Sequence, residues 1–388
     1  MTSWRPSARV TRRHAIAQIV LLLVGCLIMP SLVHAMPAAD RTAALARGIN
    51  ITGWFRFPAS RDPAALRSWL SDAAMASLKR AGFTFVRLAI DPDVVAEAEP
   101  RAVLVDQIRR LLRHGLAVVV SPHPVAWRID ADAADQARLL AFWRDLAPAL
   151  RGLDPALTFP ETLNEPVFRD DPGRWWALQE QLRATIRAAL PDNTIVLTGH
   201  DWSSIAGLLA LKPSTDKNAS TDDNVIYSFH FYDPPELTTL AAWRPELDQA
   251  ALGRLPFPET DPAACARLAD ETSDRPTGDL IRYWCAIGWD SARVRQEIRA
   301  AGDWARAHHV ALLAAEFGAS ARLNQSARLA WLGIVRLACA EQGIGWALWG
   351  YDDVMGFNIT RPPANDPLLD RSVLEALGLR APGASKSR

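Results

Sequence analysis

The chain has 388 residues, 49% of them hydrophobic, and its 43 Lys and Arg residues balance its 43 Asp and Glu residues. A disordered chain would be poorer in apolar residues and further from charge balance. A nucleic-acid-binding protein usually carries a basic excess, so no nucleic-acid partner is expected. The composition indicates a large globular protein that can bury a core without metal ions or many crosslinks.

The first 35 residues have the composition of a secretory signal peptide. They hold four arginines and no acidic residue, then the apolar stretch 16–29 and the small residue Ala35. That stretch is short for a membrane span, so we expect cleavage near Ala35, no stable span in the mature protein, and a secreted or periplasmic location. Lipid anchoring at Cys26 is the alternative, but the apolar run continues past Cys26, where a lipoprotein normally turns polar.

Three cysteines remain after that cleavage: Cys265, Cys285 and Cys339. An oxidising compartment permits disulfides, and Cys265 and Cys285 lie in one irregular stretch, so they are the natural pair. Cys339 falls in a helical pattern and is expected to be a buried apolar side chain.

Eight short apolar runs recur along the mature chain, and some, such as 118–120, lack polar alternation. Runs of this kind are typical of strands covered on both faces. The predicted strands are 48–54, 83–90, 117–123, 157–165, 194–200, 224–232, 310–318 and 345–351.

Amphipathic patterns between these runs predict helices. They lie at about 66–81, 101–114, 133–150, 173–190, 291–308 and 326–342. Eight strands alternating with helices favour an α/β fold, a (β/α)8 TIM barrel formed as a single domain by residues 36–388. A doubly wound sheet is the alternative, but no glycine-rich phosphate loop follows the first strand. Residues 233–287 lack sustained periodicity and are interpreted as a long βα-loop insertion after strand 6, and the tail 382–388 is expected to be disordered.

Reactive side chains in such a barrel come from the carboxyl ends of the strands. Polar and aromatic residues stand at those ends: His123, Asn164, Glu165, His230, Tyr232, Glu316 and Trp349. Glu165 and Glu316 end strands four and seven, on opposite sides of the barrel mouth, and two carboxyl groups facing each other across a substrate are what glycoside hydrolysis needs. For either glutamate alone, a salt bridge at the rim is the alternative.

The segment 162–166, Thr-Leu-Asn-Glu-Pro, resembles the Asn-Glu-Pro signature of glycoside hydrolase family 5, the cellulase family. The eight recurring active-site residues of that family are matched, in order, by Arg87, His123, Asn164, Glu165, His230, Tyr232, Glu316 and Trp349. The resemblance covers residues 48–380. One departure is Ser121-Pro122-His123, where the family often has Asp-x-His.

The resemblance implies retaining hydrolysis by double displacement, with Glu316 as nucleophile and Glu165 as acid/base. Arg87 and Tyr232 would hold Glu316, and Glu165, less favourably paired, would keep its proton longer. It also implies that Asn164 binds a sugar hydroxyl, that His123 and His230 bind sugar or orient the carboxylates, and that Trp349 is a platform for a sugar ring. For His123 and His230 a core histidine is the alternative, and for Tyr232 it is aromatic packing.

Fifteen tryptophans are present, and Trp54, Trp127 and Trp202 lie near predicted rim loops, where they could line further subsites. No metal-ligand spacing and no cofactor motif is found, so neither is expected. The expected partner is a polysaccharide or oligosaccharide, most simply a β-1,4-glucan cleaved within the chain. Mannan, β-1,3-glucan, another β-glycoside, or a barrel that binds carbohydrate without cleaving it remain open, and the oligomeric state is not predicted.

Overall fold

The computed structural model describes Met1 and residues 42–211, 222–359 and 368–380. The compact unit Pro37–Arg388 contains an eight-stranded parallel sheet. Its strands are β1 Arg47–Phe55, β2 Phe85–Ile90, β3 Ala117–Pro122, β4 Thr158–Pro160, β5 Ile195–Thr198, β6 Val225–Phe231, β7 Leu312–Phe317 and β8 Gly345–Leu348. Every predicted strand is present, with ends that differ by a few residues.

The sheet is a nearly closed (β/α)8 barrel. Its strands follow the order β4-β3-β2-β1-β8-β7-β6-β5, and all pairs are parallel. A parallel bridge between Glu161 and Val196 joins the two outermost strands. The predicted TIM barrel is therefore confirmed, and the carboxyl ends of all eight strands meet at one mouth.

Two hydrophobic layers hold the barrel together. One cluster packs between strands and helices, and a second, which includes Phe85, Val119 and Phe159, fills the interior. Gly48 is required beside this filling, because a Cβ there would stand 2.2 Å from the Phe85 ring. Side chains two positions apart on a strand share a face, so Arg87 projects inward one step nearer the mouth than Phe85.

Thirteen helices are seen in the described residues, some of them only one turn long. They are Pro63–Ser68, Asp72–Ala81, Ala98–Arg113, Ala133–Leu150, Pro172–Ala189, Ile205–Leu209, Pro235–Thr238, Gln249–Leu252, Pro262–Asp270, Arg275–Ile287, Ser291–His308, Gln325–Glu341 and Arg371–Ala376, with 3-10 helices at Thr42–Leu45 and Pro92–Val94. The predicted helix 66–81 is two helices, because the Ser71 side chain accepts from the Ala74 amide and starts a new one.

The segment 233–287 differs from the expected irregular loop, because it contains four short helices. Two of them carry a start signal that the sequence offers: Asp261 caps the helix that begins at Pro262, and Asp274 caps the next one. Cys265 and Cys285 are bonded to each other, as expected, and join these two helices. Cys339 is a buried free thiol, also as expected.

Some expectations concern residues outside the described ranges. The expected signal peptide 1–35, apart from Met1, and the tail 382–388 are among them. Residues 212–221, between β5 and β6, also lie outside the described ranges. Within the described ranges, no helix is long and apolar enough to cross a membrane.

Candidate active site

Seven of the eight residues singled out from the sequence lie at or just beyond the carboxyl ends of β3, β4, β6, β7 and β8, and Arg87 lies in the middle of β2. Arg87 is on β2, His230 on β6 and Glu316 on β7. His123, Tyr232 and Trp349 follow β3, β6 and β8, and Asn164 and Glu165 follow β4. The barrel thus brings residues from distant parts of the sequence to one mouth.

Glu165 and Glu316 face each other across His230. His230 Nδ1 lies 2.9 Å from Glu165 Oε1 and 3.4 Å from Glu316 Oε2. One carboxylate oxygen of each glutamate and one His230 nitrogen all lie within 4.8 Å of one another. An ionised carboxylate only accepts hydrogen bonds, so His230 Nδ1 carries a hydrogen when Glu165 is ionised.

Arg87 organises the other side of the pair from a fully buried position. Its Nη1 donates to Glu316 Oε1 at 2.5 Å, and its Nη2 donates to Asn164 Oδ1 at 2.9 Å. Its Nε and Nη2 also donate to both oxygens of Glu161, at 2.7 and 3.1 Å. Burial alone lowers the pKa of Arg87, but the charges of Glu161 and Glu316 raise it above its ordinary value, so the guanidinium stays charged.

Tyr232 completes the contacts of Glu316. Its hydroxyl donates to Glu316 Oε2 at 2.9 Å, so each oxygen of this carboxylate accepts a hydrogen bond. Burial and the charges of Glu316 and Glu165 raise the pKa of Tyr232 well above its ordinary value. The phenol therefore remains a donor wherever the carboxylates are ionised.

The pKa values of the two glutamates move in opposite directions. Burial raises the pKa of Glu316, and the attraction of His230 and Arg87 offsets this only in part. Burial also acts on Glu165, but the hydrogen bond and charge of His230, with the charges of Arg87 and Arg56, outweigh it and lower the pKa. The sequence predicts that Glu165 keeps its proton to higher pH than Glu316. In the protein without substrate the pKa of Glu316 is the raised one, because His230 lies beside Glu165 and lowers its pKa. The sequence does not reveal this contact.

Glu165 stands on a conformationally constrained turn. Its φ of 43° lies in the left-handed region, which costs a non-glycine residue about 1–3 kcal/mol. The Asn164 amide donates to Pro122 O at 3.0 Å, and the Trp202 amide donates to Pro166 O at 3.1 Å, so both flanks of the turn are fixed. The side chain of Glu165 remains 32% exposed, whereas that of Glu316 is 4% exposed.

His123 and Trp349 form an aromatic wall of the site. Their rings stack with centroids 5.8 Å apart. His123 is buried, and among the described residues neither of its ring nitrogens has a hydrogen-bond partner. Burial, reinforced by the charges of Arg87 and Arg56, lowers its pKa well below the ordinary value, so the imidazole is neutral.

The three predicted subsite tryptophans differ in their surroundings. Trp54 is fully buried, stacks on Trp69 with centroids 5.5 Å apart, and donates to Leu66 O, so the prediction that it lines a subsite is wrong. The pairing register of β1 with β2 shifts between Ile51 and Phe55, in the segment that contains Trp54.

Trp202 and Trp127 keep exposed surface. Trp202 is 44% exposed beside the turn that carries Glu165, and the Arg169 guanidinium lies over one face, 4.3 Å from the ring centroid. Trp127 is partly buried, donates to Asp93, and has Arg138 over its ring. Trp202 is therefore the better placed of the two to contact a bound sugar.

Four further residues shape the site in ways that the sequence did not predict. Glu161 is the second partner of Arg87, and Asn50 Oδ1 accepts from Arg87 Nη1 at 3.0 Å. Asp352 is buried and accepts from the Thr52 and Gly53 amides, which ties the loop after β8 to β1. The signal for Glu161 was that it is a charged residue inside the predicted strand 157–165, four residues before Glu165.

Arg56, the fourth, follows β1 and is half-buried near the carboxylates. Its guanidinium lies 4.7 Å from the Phe57 ring centroid and 5.8 Å from that of Trp349. Burial lowers its pKa, and the charges of Glu316 and Glu165 oppose that effect. Arg56 therefore adds positive charge to the mouth.

Among the described residues, the group with the spacing of metal ligands is Glu165, His230 and Glu316. These are the residues of the carboxylate pair, and both oxygens of Glu316 already accept hydrogen bonds from Arg87 and Tyr232. The expectation that the site needs no metal stays a prediction.

Comparison with known proteins agrees with this geometry. A sequence model of the cellulase family, glycosyl hydrolase family 5, matches residues 46–354. Endoglucanase 3 of Fibrobacter succinogenes is 25% identical in an alignment of 338 positions that covers 79% of this chain and 49% of that protein. Endoglucanase C of Acetivibrio thermocellus is 23% identical over 83% of this chain and 96% of its own length. The chain thus spans about half of the first relative and nearly all of the second.

Solved structures share the fold. An endoglucanase from Thermotoga maritima superimposes with a TM-score of 0.70 at 23% identity, covering 88% of this chain and all of that one. The barrel and the family match together define a barrel glycosidase. The chain belongs to glycosyl hydrolase family 5, the cellulase family.

Proposed function

We propose that the protein is an exported endo-β-1,4-glucanase that hydrolyses its substrate with retention of anomeric configuration. The observation that carries this proposal is the approach of Glu165 and Glu316, with an oxygen of each within 4.8 Å. Retaining glycosidases keep their two carboxyl groups about 5–5.5 Å apart, whereas inverting enzymes need about 6.5–9.5 Å to admit a water molecule. The short separation supports direct attack by one carboxylate.

The surroundings of the two glutamates support different roles. Glu316 is buried and held at both oxygens by Arg87 and Tyr232, which suits a nucleophile that must be oriented. Glu165 is partly exposed at the mouth, where a leaving group and later a water molecule can reach it. We assign Glu316 as nucleophile and Glu165 as acid and base.

The reaction then takes two balanced steps. A Glu316 oxygen attacks the anomeric carbon, the bond from that carbon to the glycosidic oxygen breaks, and Glu165 gives its proton to the departing oxygen. Next, Glu165 takes a proton from water, the water oxygen attacks the same carbon, and the bond to Glu316 breaks. Two displacements restore both glutamates and the original configuration.

Bound substrate favours the protonation state that the first reaction step requires. A sugar at the mouth covers the exposed part of Glu165 and removes its water, and loss of solvation raises the pKa of a carboxyl group. Glu316 stays within reach of the fixed charge of Arg87. Substrate binding thus favours protonated Glu165 beside ionised Glu316, as the first step demands.

The remaining residues offer unused sugar contacts. Asn164 accepts from Arg87 through its oxygen, which leaves its amide hydrogens free for a sugar hydroxyl. His123 and His230 carry buried ring nitrogens that have no partner among the described residues. Trp349, half-buried at the mouth, offers an indole face to a pyranose ring.

The substrate class is proposed from the relatives, several of which are named endoglucanases. Purified protein and its Glu316→Gln variant should be assayed on β-1,4-glucan, mannan and β-1,3-glucan, with NMR detection of the first anomer released. We expect turnover of β-1,4-glucan by the wild type alone, a β-configured first product, and a fall in viscosity that precedes release of reducing ends. An α-configured first product would refute retention, and preference for another polysaccharide would refute the substrate.

Export is proposed from the signal-like residues 1–35 and is supported by the Cys265–Cys285 bond, since disulfides persist mainly in oxidising compartments. Fractionation of producing cells tests it. The protein should be recovered outside the cytoplasm with an amino terminus just after Ala35, and a lipid-modified Cys26 would contradict cleavage there.

A further inference from the structure

Trp331 is a fully buried residue of the helix Gln325–Glu341, which packs against β7 and β8 from outside the barrel. Its ring stacks on Phe231 with centroids 5.9 Å apart and lies against Phe317 with centroids 6.2 Å apart. Its Nε1 donates to Asp233 O at 3.1 Å. One side chain of the helical layer thus contacts the carboxyl ends of both β6 and β7.

The contacted residues are the chain neighbours of two groups of the active site. Phe231 and Asp233 flank Tyr232, and Phe317 follows Glu316. Tyr232 in turn donates to Glu316 Oε2 at 2.9 Å. The indole therefore lies behind the two strand ends that this hydrogen bond joins at the mouth.

The pairing register of β6 with β7 shifts by one residue just before Glu316. Phe229 pairs with Ala314 and His230 pairs with Glu316, so Ala315 is an extra residue on β7. The register of β7 with β8 shifts over the same stretch. An extra residue of this kind is a β-bulge, and bulges next to active sites change the direction of side chains.

The bulge decides which side chains of β7 face the site. Leu313 and Ala315 belong to the interior cluster, so regular alternation would turn Glu316 outward and Phe317 inward. Instead, Glu316 accepts from Arg87 inside the barrel, and Phe317 packs in the outer cluster. The orientation of Glu316 therefore depends on Phe317 remaining outside.

The bulge is held from both sides of the sheet. Inside the barrel, Asn50 Nδ2 donates to Ala315 O at 3.0 Å and so satisfies a carbonyl of the bulge. Outside, Trp331 supplies the aromatic surface on which Phe317 packs. The hydrogen bond to Asp233 O fixes the indole itself, because a buried N–H that lost its acceptor would be costly.

We propose that Trp331 is a positioning residue for the reaction, which keeps Glu316 directed into the mouth and within hydrogen-bonding distance of Tyr232. It acts from outside the barrel, through Phe317 on β7 and Asp233 after β6. The inference rests on the proposed function, because it takes Glu316 as the nucleophile.

The first measurement reports the step in which Glu316 attacks. Dinitrophenyl β-cellobioside is the substrate, because its leaving group departs as a phenolate without a proton from Glu165. Trp331→Phe removes the indole N–H and keeps an aromatic ring. We expect kcat/KM to fall at least about tenfold, since a misplacement of about 1 Å can cost about a hundredfold in rate.

Trp304→Phe is the matched control. Trp304 is buried in the helix Ser291–His308 and donates from Nε1 to Leu211 O at 3.3 Å, so the substitution removes the same kind of hydrogen bond. Its ring packs on Tyr227, near the amino end of β6. We expect this variant to keep the wild-type kcat/KM, and thermal unfolding of both variants shows how far each is destabilised.

The pH profile distinguishes positioning from a loss of stability. The charged and titratable groups that face Glu316 are Arg87, His230, Glu165, Tyr232 and Arg56. The Tyr232 hydrogen bond favours ionised Glu316, so weakening it raises the pKa of Glu316 and moves the acid limb of kcat/KM to higher pH. Trp331→Phe should show this shift and Trp304→Phe should not. In Tyr232→Phe, which already lacks the hydrogen bond, adding Trp331→Phe should move the limb no further.

The outcomes separate this inference from the proposed function. An unmoved acid limb in Trp331→Phe, an equal shift in Trp304→Phe, or a fully additive shift in the double variant would refute the role of Trp331 and leave the proposed function standing. If Trp331→Phe does not fold, Phe317→Leu takes its place, because it removes the ring that the indole holds, and an unmoved limb there would refute the role as well. The proposed function itself fails if a 2-fluoro-cellobioside with the same leaving group does not label Glu316 in the wild type.

Discussion

Arg87 and Glu161 form a bidentate ion pair next to Glu316, and both side chains are almost fully buried. Glu161 keeps the guanidinium charged and fixes its plane, so that the remaining donors of Arg87 point at Glu316 and Asn164. Glu161, which is not one of the eight family residues, therefore helps to orient Glu316 and Asn164, which are.

Removal of Glu161 should cost both stability and activity. Loss of Glu161 leaves the buried Arg87 with one carboxylate partner instead of two and its Nε without an acceptor, and breaking a buried ion pair typically costs about 3–5 kcal/mol. We expect Glu161→Ala to lower the free energy of unfolding by that amount in denaturant titration. Glu341→Ala is the control, because Glu341 pairs with Arg295 at the surface, where such pairs contribute at most about 1 kcal/mol. Equal effects of the two substitutions would contradict the role given to Glu161.

Tyr232→Phe removes one hydrogen bond from the proposed nucleophile and little else. Hydrogen bonds to charged groups contribute about 1.5–3 kcal/mol, so kcat/KM should fall by about ten- to 150-fold. The donor favours the ionised form of Glu316, so its loss raises that pKa and moves the acid limb of the pH profile upward. Tyr283→Phe, at an exposed site of the segment 233–287, should change neither quantity. An unmoved acid limb in Tyr232→Phe would argue that the phenol only packs.

Azide should distinguish the roles of the two glutamates. Glu316→Ala should show no turnover of polysaccharide, and azide entering the vacated space should attack an activated aryl glycoside and give an inverted glycosyl azide. Glu165→Ala should lower kcat/KM on polysaccharide by about 10²–10⁴-fold, the usual contribution of a general acid. Because Glu316 still forms the intermediate in that variant, azide should give a product of retained configuration. Exchange of the two stereochemical results between the variants would reverse the assignment.

The pH profile should depend on whether substrate is bound. Glu165 must be protonated to act as acid, so activity is lost as the pH rises through its pKa. Burial of Glu165 raises this pKa, but His230, Arg87 and Arg56 bring it below its ordinary value in the free protein. The profile of kcat/KM reports the free enzyme and that of kcat reports the complex. Since substrate covers Glu165, the alkaline limb of kcat should lie at higher pH than that of kcat/KM. Coincident limbs would contradict the claim that bound substrate raises the pKa of Glu165.

Substitution of Arg56 tests separately whether neighbouring positive charges lower the pKa of Glu165. Its positive charge is one of the groups that lower the pKa of Glu165. Arg56→Gln should therefore move the alkaline limb of kcat/KM upward, and Arg56→Lys should restore it in part. A fall in rate with no shift of the limb would mean that Arg56 contacts substrate instead.

The features that the sequence predicts best are those with a strong local signal. Short apolar runs, some of them without polar alternation, predicted all eight strands, and the ends of the predicted strands indicated Glu165 and Glu316 as candidates. Trp54 lies where the register of β1 with β2 shifts, and no periodicity of the sequence reveals such a shift. The pairing of Arg87 with Glu161 joins β2 to the end of β4, and the contact of His230 with Glu165 joins β6 to the turn after β4. These relationships arise from the closed barrel and could be read only from the structure.

The Cys265–Cys285 bond should stabilise the helices of the segment 233–287 rather than the barrel. It closes a loop with a sequence separation of 20, for which the chain-entropy account gives about 3 kcal/mol. We expect the double variant Cys265→Ser/Cys285→Ser to show faster amide hydrogen exchange in residues 262–287, with β2 and β7 still protected. Cys339 does not compete for a partner, because burial raises its pKa to about 12 and keeps it an inert thiol. If the strands lost protection together with the segment, the bond would stabilise the whole fold and not the segment 233–287 alone.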